Sequence, residues 1–231
     1  MARVVSLSEL RFTWPGSPRP VLDIERLDID RGQHLFVQGA SGSGKTTLLS
    51  LLTGINQPDA GKLEVLGQDL AEMSSIRRDR FRADHLGVIF QQFNLLPFLG
   101  ILDNVMLPCR FSPRRRKRAG DVGAAAHQML DELQIADGLR TREVMQLSVG
   151  QQQRVAVARA LIGNPEIVIA DEPTSALDSD NRDAFIDLLF RRASEHGSTL
   201  LFVSHDRHLA AHFDHRIDLG EINRAQHEMN P

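Results

Sequence analysis

Residues 39–46 read Gly39, Ala40, Ser41, Gly42, Ser43, Gly44, Lys45 and Thr46. They fit the spacing G-x-x-x-x-G-K-S/T, and no other stretch restricts the possible folds so tightly. The glycines let the backbone curl until successive N–H groups converge on phosphate oxygens. A helix that starts near Gly44 adds its positive end. Lys45, one of only three lysines in the chain, supplies a point charge for the β- and γ-phosphates, and Thr46 a hydroxyl for Mg²⁺. The flanks agree: Leu35, Phe36 and Val37 form a short β-prone apolar run, and residues 45–52 have a helix-compatible composition. In 231 residues of this composition the pattern arises by accident roughly 0.2 % of the time. A bound nucleoside triphosphate is therefore expected.

A strand, a glycine loop and a helix in that order are the local plan of a phosphate-binding α/β unit. Upstream, Val4 to Phe12 alternates with Val4, Leu10 and Phe12 on one face, and Leu22 to Ile29 alternates with a slip near Arg26. Downstream, a helix over residues 77–84 leads into a strand over 86–90. Residues 94–163 are mostly helix-like, with loops expected at Pro97, at 108–113 and at Gly138. The α/β alternation then resumes, with a buried strand over 167–170, an amphipathic helix over 181–196 and a strand over 199–203. The expectation is one α/β domain over residues 1–231, interrupted by a helical subdomain over about 92–163.

Composition limits the class. A net charge of −3 and a pI near 6.3 argue against a protein that coats nucleic acid. No apolar run approaches the roughly 20 residues that span a bilayer, and the N-terminus lacks the apolar core of a signal peptide. Cys109, the single cysteine, has no internal partner for a disulfide, which suits a reducing cytosol.

Two further stretches narrow the chemistry. The apolar run up to Ala170 places Asp171 and Glu172 at the C-terminal end of a strand, where ligands of open α/β sheets bind. There Asp171 can hold Mg²⁺ through water, and Glu172 can orient and deprotonate an attacking water. Leu147, Ser148, Val149, Gly150 and Gln151 precede a helix with an apolar stripe of Val155, Ala158, Leu161 and Ile162. A serine and a glycine opening a helix offer a hydroxyl, free N–H groups and a positive dipole end. One γ-phosphate does not need two such loops from one chain, so the second is expected to serve the nucleotide of another copy.

On these motifs the chain resembles the nucleotide-binding subunit of ATP-binding-cassette (ABC) transporters over nearly its whole length. Residues 39–46 resemble the family's Walker A loop, 147–151 its signature, and Asp171 with Glu172 the end of Walker B. Residues 175–178, ending in Asp178, resemble the D-loop, Gln91 the Q-loop glutamine, His205 the switch histidine and Trp14 the aromatic A-loop residue. The resemblance implies a P-loop NTPase core of ABC type, with a mixed sheet, flanking helices and an N-terminal antiparallel β region. It also implies ATP hydrolysis in a head-to-tail dimer. Trp14 stacks on adenine, while residues 39–47, Thr47 included, cradle the phosphates. Thr46, Gln91 and Asp171 arrange Mg²⁺, and Glu172 and His205 set the attacking water. Ser148, Gly150 and Gln151 from the second copy close the site. The signature departs from the usual Leu-Ser-Gly-Gly-Gln at Val149. A β-branched residue avoids positive φ, so this position is expected to take ordinary helical or β angles.

Residues 86–97 and 103–108 further resemble the lipoprotein-releasing, macrolide-exporter and cell-division branch. That branch implies a partner permease with few membrane helices, in some systems a periplasmic partner, no nucleic acid, and a place on the cytoplasmic face of the bacterial inner membrane. A cell-division-type regulatory ATPase that moves no substrate is the alternative. Residues 114–118, all basic, read as a solvated loop, or secondarily as a contact for anionic lipid headgroups. His208 and His212 have the i, i+4 spacing of a metal pair, but no third ligand follows from the sequence.

Overall fold

The computed structural model describes residues 2–140, 142–174 and 179–225. In chain order the elements are β1 (Arg3–Phe12), β2 (Leu22–Asp30), β3 (His34–Gln38), α1 (Lys45–Leu52), β4 (Ala60–Val65), β5 (Gln68–Asp69), α2 (Ser75–His85) and β6 (Leu86–Ile89). They continue with α3 (Ile101–Phe111), α4 (Pro113–Ala119), α5 (Val122–Glu132), α6 (Val149–Leu161), β7 (Ile167–Asp171), α7 (Ser179–Glu195), β8 (Thr199–Val203), β9 (His215–Asp218) and α8 (Leu219–Ile222). The chain divides into two units, Met1–Arg82 with Thr199–Pro231, and Ala83–Ser198.

The first unit holds an antiparallel sheet in the order β2-β1-β4-β5. It also holds β3, which pairs in parallel with β8 on one side and β9 on the other. Simple alternation fails in the antiparallel sheet. In β1 the buried residues run Val5, Leu7, then Leu10 and Phe12; in β2 they run Leu22, Ile24, then Leu27 and Ile29. Both strands change phase at the same rung, between the pairs Leu7–Leu27 and Leu10–Ile24. Leu10 and Phe12 therefore share their phase with Val5 and Leu7 rather than with Val4, as alternation alone required; Val4 is buried as well. The cause lies in the neighbouring strand. Glu9 takes φ 48°, and the register with β4 shifts between Ser8 and Arg11, the mark of a β-bulge. A Cβ on Gly61 would sit 2.2 Å from the Glu9 carbonyl oxygen, so only glycine fits opposite the bulge. Around β3 the core is aromatic: Phe36 lies opposite Phe202 in the parallel register, and Phe213 packs 5.2 Å from each ring.

The second unit holds the parallel pair β6 and β7, with Ile89 opposite Ala170. Residues 167–170 are all buried, as a strand covered on both faces requires. Helices α3 to α6 pack on one another, and α6 lies so close to β6 that a Cβ on Gly87 would fall 2.3 Å from the Ala160 carbonyl oxygen.

Two sequence expectations are corrected here. No loop covers 108–113. Pro108 lies inside α3, although it brings no N–H to the carbonyl four residues back. The helix persists because Ile101, Asn104, Val105 and Cys109 are all buried along it. The chain breaks only at Ser112, whose hydroxyl caps α4 by accepting from the Arg115 N–H at 3.0 Å, with Pro113 in the first turn.

Nor is the basic run a loop. It forms α4, and Arg115 is 2 % exposed. Its guanidinium donates to the carbonyls of Ile162 at 2.8 Å, Ala160 at 2.6 Å and Leu86 at 3.3 Å, which satisfies the open C-terminal end of α6. Burial pulls the Arg115 guanidinium down to about 10, so it stays charged at neutral pH. Arg114 and Arg118 both bind the Glu166 carboxylate, which His85 meets at 3.2 Å. Burial alone would raise the Glu166 carboxyl, but hydrogen bonds from His85, Arg114 and Arg118 outweigh it and hold it far below the usual carboxylate range.

Among the described residues, no helix is long and apolar enough to cross a membrane.

Candidate functional site

Each unit brings its predicted residues to the carboxyl edge of parallel strands. In the first unit β3 and β8 run in parallel with Val37 opposite Val203, and the Ser204 N–H donates to the Val37 carbonyl at 3.2 Å. The chain leaving β3 becomes the glycine loop, and the chain leaving β8 reaches His205, which is exposed. In the second unit Gln91 lies two residues beyond β6 and is exposed, while Asp171 ends β7 and Glu172 follows it. Carboxyl edges are where open α/β sheets bind ligands.

The loop is shaped by its glycines. Gly42 and Gly44 take φ 79° and 98°, angles that L side chains rarely adopt. A Cβ on Gly44 would also meet Leu22 Cδ2 at 2.7 Å. Gly44 caps α1, so the first N–H groups of that helix, without intrahelical acceptors, open toward the loop. Lys45 Nζ donates to the carbonyls of Gly39 at 2.7 Å and Ala40 at 3.0 Å, folding the cation back over its own loop. Ala40, Ser41 and Thr46 are exposed, Thr47 is buried in α1, and the buried Ser43 hydroxyl has no hydrogen-bond partner among the described residues.

The loop is pinned from a segment that sequence reasoning missed. Asn223, fully buried, donates from Nδ2 to the carbonyls of Val21 at 2.9 Å and Ser43 at 3.2 Å. Its Oδ1 accepts from the Asp23 N–H at 2.8 Å. One asparagine thus ties the glycine loop to β2, and no local pattern in the sequence flags it. Trp14 is 42 % exposed and stands edge-on to Phe12 at 5.0 Å, which leaves aromatic surface open for stacking.

Glu172 shows a second feature invisible in the sequence. It is 9 % exposed and takes φ 47°. A non-glycine residue held in that region is strained, and strain of this kind collects at functional sites.

At the signature, Ser148 is the N-cap of α6. Its hydroxyl accepts from the Gln151 N–H at 3.3 Å, and Gln151 Oε1 accepts from the Ser148 N–H at 2.9 Å. This capping box fixes the entry into the helix while the N–H groups of Val149 and Gly150 stay at its positive tip. Val149 is the first residue of α6 and does not have positive φ, as its β-branch requires. Its side chain is 54 % exposed.

Asp178 and the rest of residues 175–178 lie outside the described residues. The His208–His212 pair sits in a 3₁₀ turn, Arg207–His212, rather than in an α-helix. At three residues per turn, positions i and i+4 no longer share a face.

Comparison with known proteins agrees with this geometry. The family model described as ABC transporter matches residues 22–175. The chain is 41 % identical over 186 residues to the lipoprotein-releasing system ATP-binding protein LolD of Porphyromonas gingivalis, covering 80 % of this chain and 83 % of that protein. It is 42 % identical over 188 residues to the uncharacterized ABC transporter ATP-binding protein YbbA of Escherichia coli, covering 81 % of each. It is 38 % identical over 195 residues to the macrolide export ATP-binding/permease protein MacB of Rhodopirellula baltica, 84 % of this chain but 28 % of that longer protein. Among solved structures, the fold is similar to the dimeric bacterial ABC transporter cassette MJ0796, with a TM-score of 0.84, 32 % identity and 93 % of both chains covered. The post-hydrolysis state of MJ0796 bound to ADP and Pi matches with a TM-score of 0.85 and 32 % identity over 96 % of this chain and 95 % of that one. With a glycine loop, an acidic strand end and a capped signature helix in family order, this chain belongs to the ABC transporter family as one of its ATP-hydrolysing cassettes.

Proposed function

We propose that two copies of this chain close head to tail over two ATP molecules and that the cycle drives a separate membrane permease of the LolD and MacB kind. The observation that carries the reading is the presence of two helix tips built for anions in one chain: α1 behind the glycine loop, and α6 behind the Ser148 cap. A single γ-phosphate uses one of them, so the second tip serves the nucleotide held by the other copy. The similarity to a dimeric cassette supports this arrangement.

Within each site, the half-exposed face of Trp14 stacks on adenine, and Lys45 leaves its own loop carbonyls for the β- and γ-phosphates. The Thr46 hydroxyl, the Gln91 amide oxygen and the Asp171 carboxylate are hard oxygen donors, a set that suits Mg²⁺, and Thr46 is exposed at the start of α1. Bound there, Mg²⁺ supplies charge neutralisation along the phosphates. Glu172 accepts the proton of the attacking water, and His205 orients it at the γ-phosphate. Ser148, Gly150 and Gln151 from the second copy close over the nucleotide, and Asp178 lines the dimer seam.

The similarity to MacB supports a permease partner: there one chain, named as an ATP-binding/permease protein, contains a segment like this one. The helices of the second unit are the proposed docking side, where Phe98, beside Pro97, is 79 % exposed. The chain then works on the cytoplasmic face of the inner membrane, held there by its partner.

Glu172→Gln tests the base directly. The variant is expected to bind ATP, to dimerise in its presence by light scattering, and to hydrolyse about 10²–10⁴-fold more slowly. Wild-type turnover in that variant removes Glu172 from the role.

A further inference from the structure

Two side chains from different helices hold the segment that follows Gln91. Phe93 and Asn94 both have left-handed backbone angles, φ 59° and 49°. Two such residues in succession, neither a glycine, persist only where the surroundings over-determine them. The restraint on one flank is Arg159 of α6. Its Nη2 donates to the Phe93 carbonyl at 2.5 Å and its Nη1 to the Asn94 carbonyl at 2.6 Å. On the other flank Asn104 of α3, fully buried, accepts from the Leu96 N–H at 2.8 Å and donates to the carbonyls of Leu96 at 3.1 Å and Leu99 at 3.2 Å.

The arginine contact has the character of a fixed joint. Arg159 is half-buried, and that burial draws its guanidinium below the usual arginine range. A planar fork bonded to two successive carbonyls tolerates little displacement of either, which a flexible ammonium would allow. Arg159 also stands on the helix that Ser148 caps. At 1.5 Å per residue the two positions lie about 16 Å apart on one rigid element. The helix whose tip carries the signature therefore grips, near its far end, the backbone next to Gln91 of the same chain.

We propose that Arg159 is the positioning residue for Gln91, holding residues 93 and 94 so that any movement of α6 is passed to the Gln91 loop. This rests on the role given to Gln91 above.

A double-mutant cycle in the full chain tests it, with Gln91→Ala, Arg159→Ala, the pair combined, and Arg159→Lys. Arg159→Ala is expected to lower kcat about ten- to hundredfold, with KM for ATP within about twofold because the glycine loop is untouched. Arg159→Lys recovers part of the loss, since an ammonium can reach one of the two carbonyls. The combined variant is no slower than Gln91→Ala alone. Amide exchange over residues 91–96, measured without nucleotide, rises in Arg159→Ala while exchange across β7 does not.

Wild-type kcat in Arg159→Ala, unchanged exchange over 91–96, or losses that multiply in the combined variant would each overturn the proposal. If Arg159→Ala does not fold, the same cycle run with Arg159→Lys decides it, read by the same comparison with Gln91→Ala. Should Gln91→Ala alone keep wild-type kcat, the role of Gln91 falls; multiplying losses with an impaired Gln91→Ala reject Arg159 and leave Gln91 in place.

Discussion

The glycine loop and helix α4 are both short polar stretches, but one was legible from its residue types and the other was not. The shape of the loop is written in its own sequence, although Asn223 pins it from outside: Gly42 and Gly44 supply the positive φ, and Lys45 bonds to Gly39 and Ala40 in the same loop. Helix α4 is assembled from elsewhere. Arg115 reaches carbonyls at Ala160 and Ile162, and Arg114 and Arg118 reach Glu166. In the proposed function the single cation of the loop acts on a ligand, whereas the arginines of α4 hold the protein together. Charge in a sequence does not say whether its partner is a substrate, a solvent or a carbonyl far along the chain.

Three changes press on that contrast. Lys45→Ala, the most severe, is expected to reduce kcat/KM for ATP by about 10²–10³-fold, as loss of one preorganised charge does, while the thermal midpoint moves little. If that variant unfolds instead, the lysine belongs with the structural cations. Arg115→Met gives the converse: the α6 carbonyls lose a buried donor, and stability falls by about 3 kcal/mol, read by denaturant unfolding. Turnover per folded molecule stays near wild type, and a selective loss of activity would blur the two classes.

The smallest effect concerns Glu166, whose replacement by Gln is expected to cost about 1–2 kcal/mol at neutral pH. Its carboxyl is lowered in the folded protein, so its stabilisation is complete above the unfolded value of about 4.5 and fades as pH falls below it. Wild type and Glu166→Gln should therefore differ at pH 7 and by less at pH 3, measured by unfolding at both; a gap that widens in acid contradicts the sign.

The same contrast explains what the sequence alone could disclose. Residues 45–52 and 199–203 were legible to the residue because a glycine boundary or a dense apolar run specifies them locally. The face of β1 was not, since the phase change at Glu9 depends on Gly61 in another strand. Pro108 reads as a breaker until the buried flank of α3 is known. In the candidate site, the residues with local motifs were found at once. Asn223, Arg159 and the strained angle of Glu172 were not, because each is defined by partners or backbone angles that single-sequence patterns do not encode.

In the proposed dimer each ATP site draws Lys45 from one copy and Ser148 from the other. Mixing two inactive variants, Lys45→Ala and Ser148→Arg, tests it most directly. In the mixed dimer one site combines both defects, and the other combines an intact glycine loop with an intact signature. Random pairing at equal amounts then gives hydrolysis at about a quarter of the wild-type rate if the sites act independently, from two preparations that are each inactive. A mixture that stays as inactive as its components, although light scattering shows that mixed dimers form, contradicts the shared site.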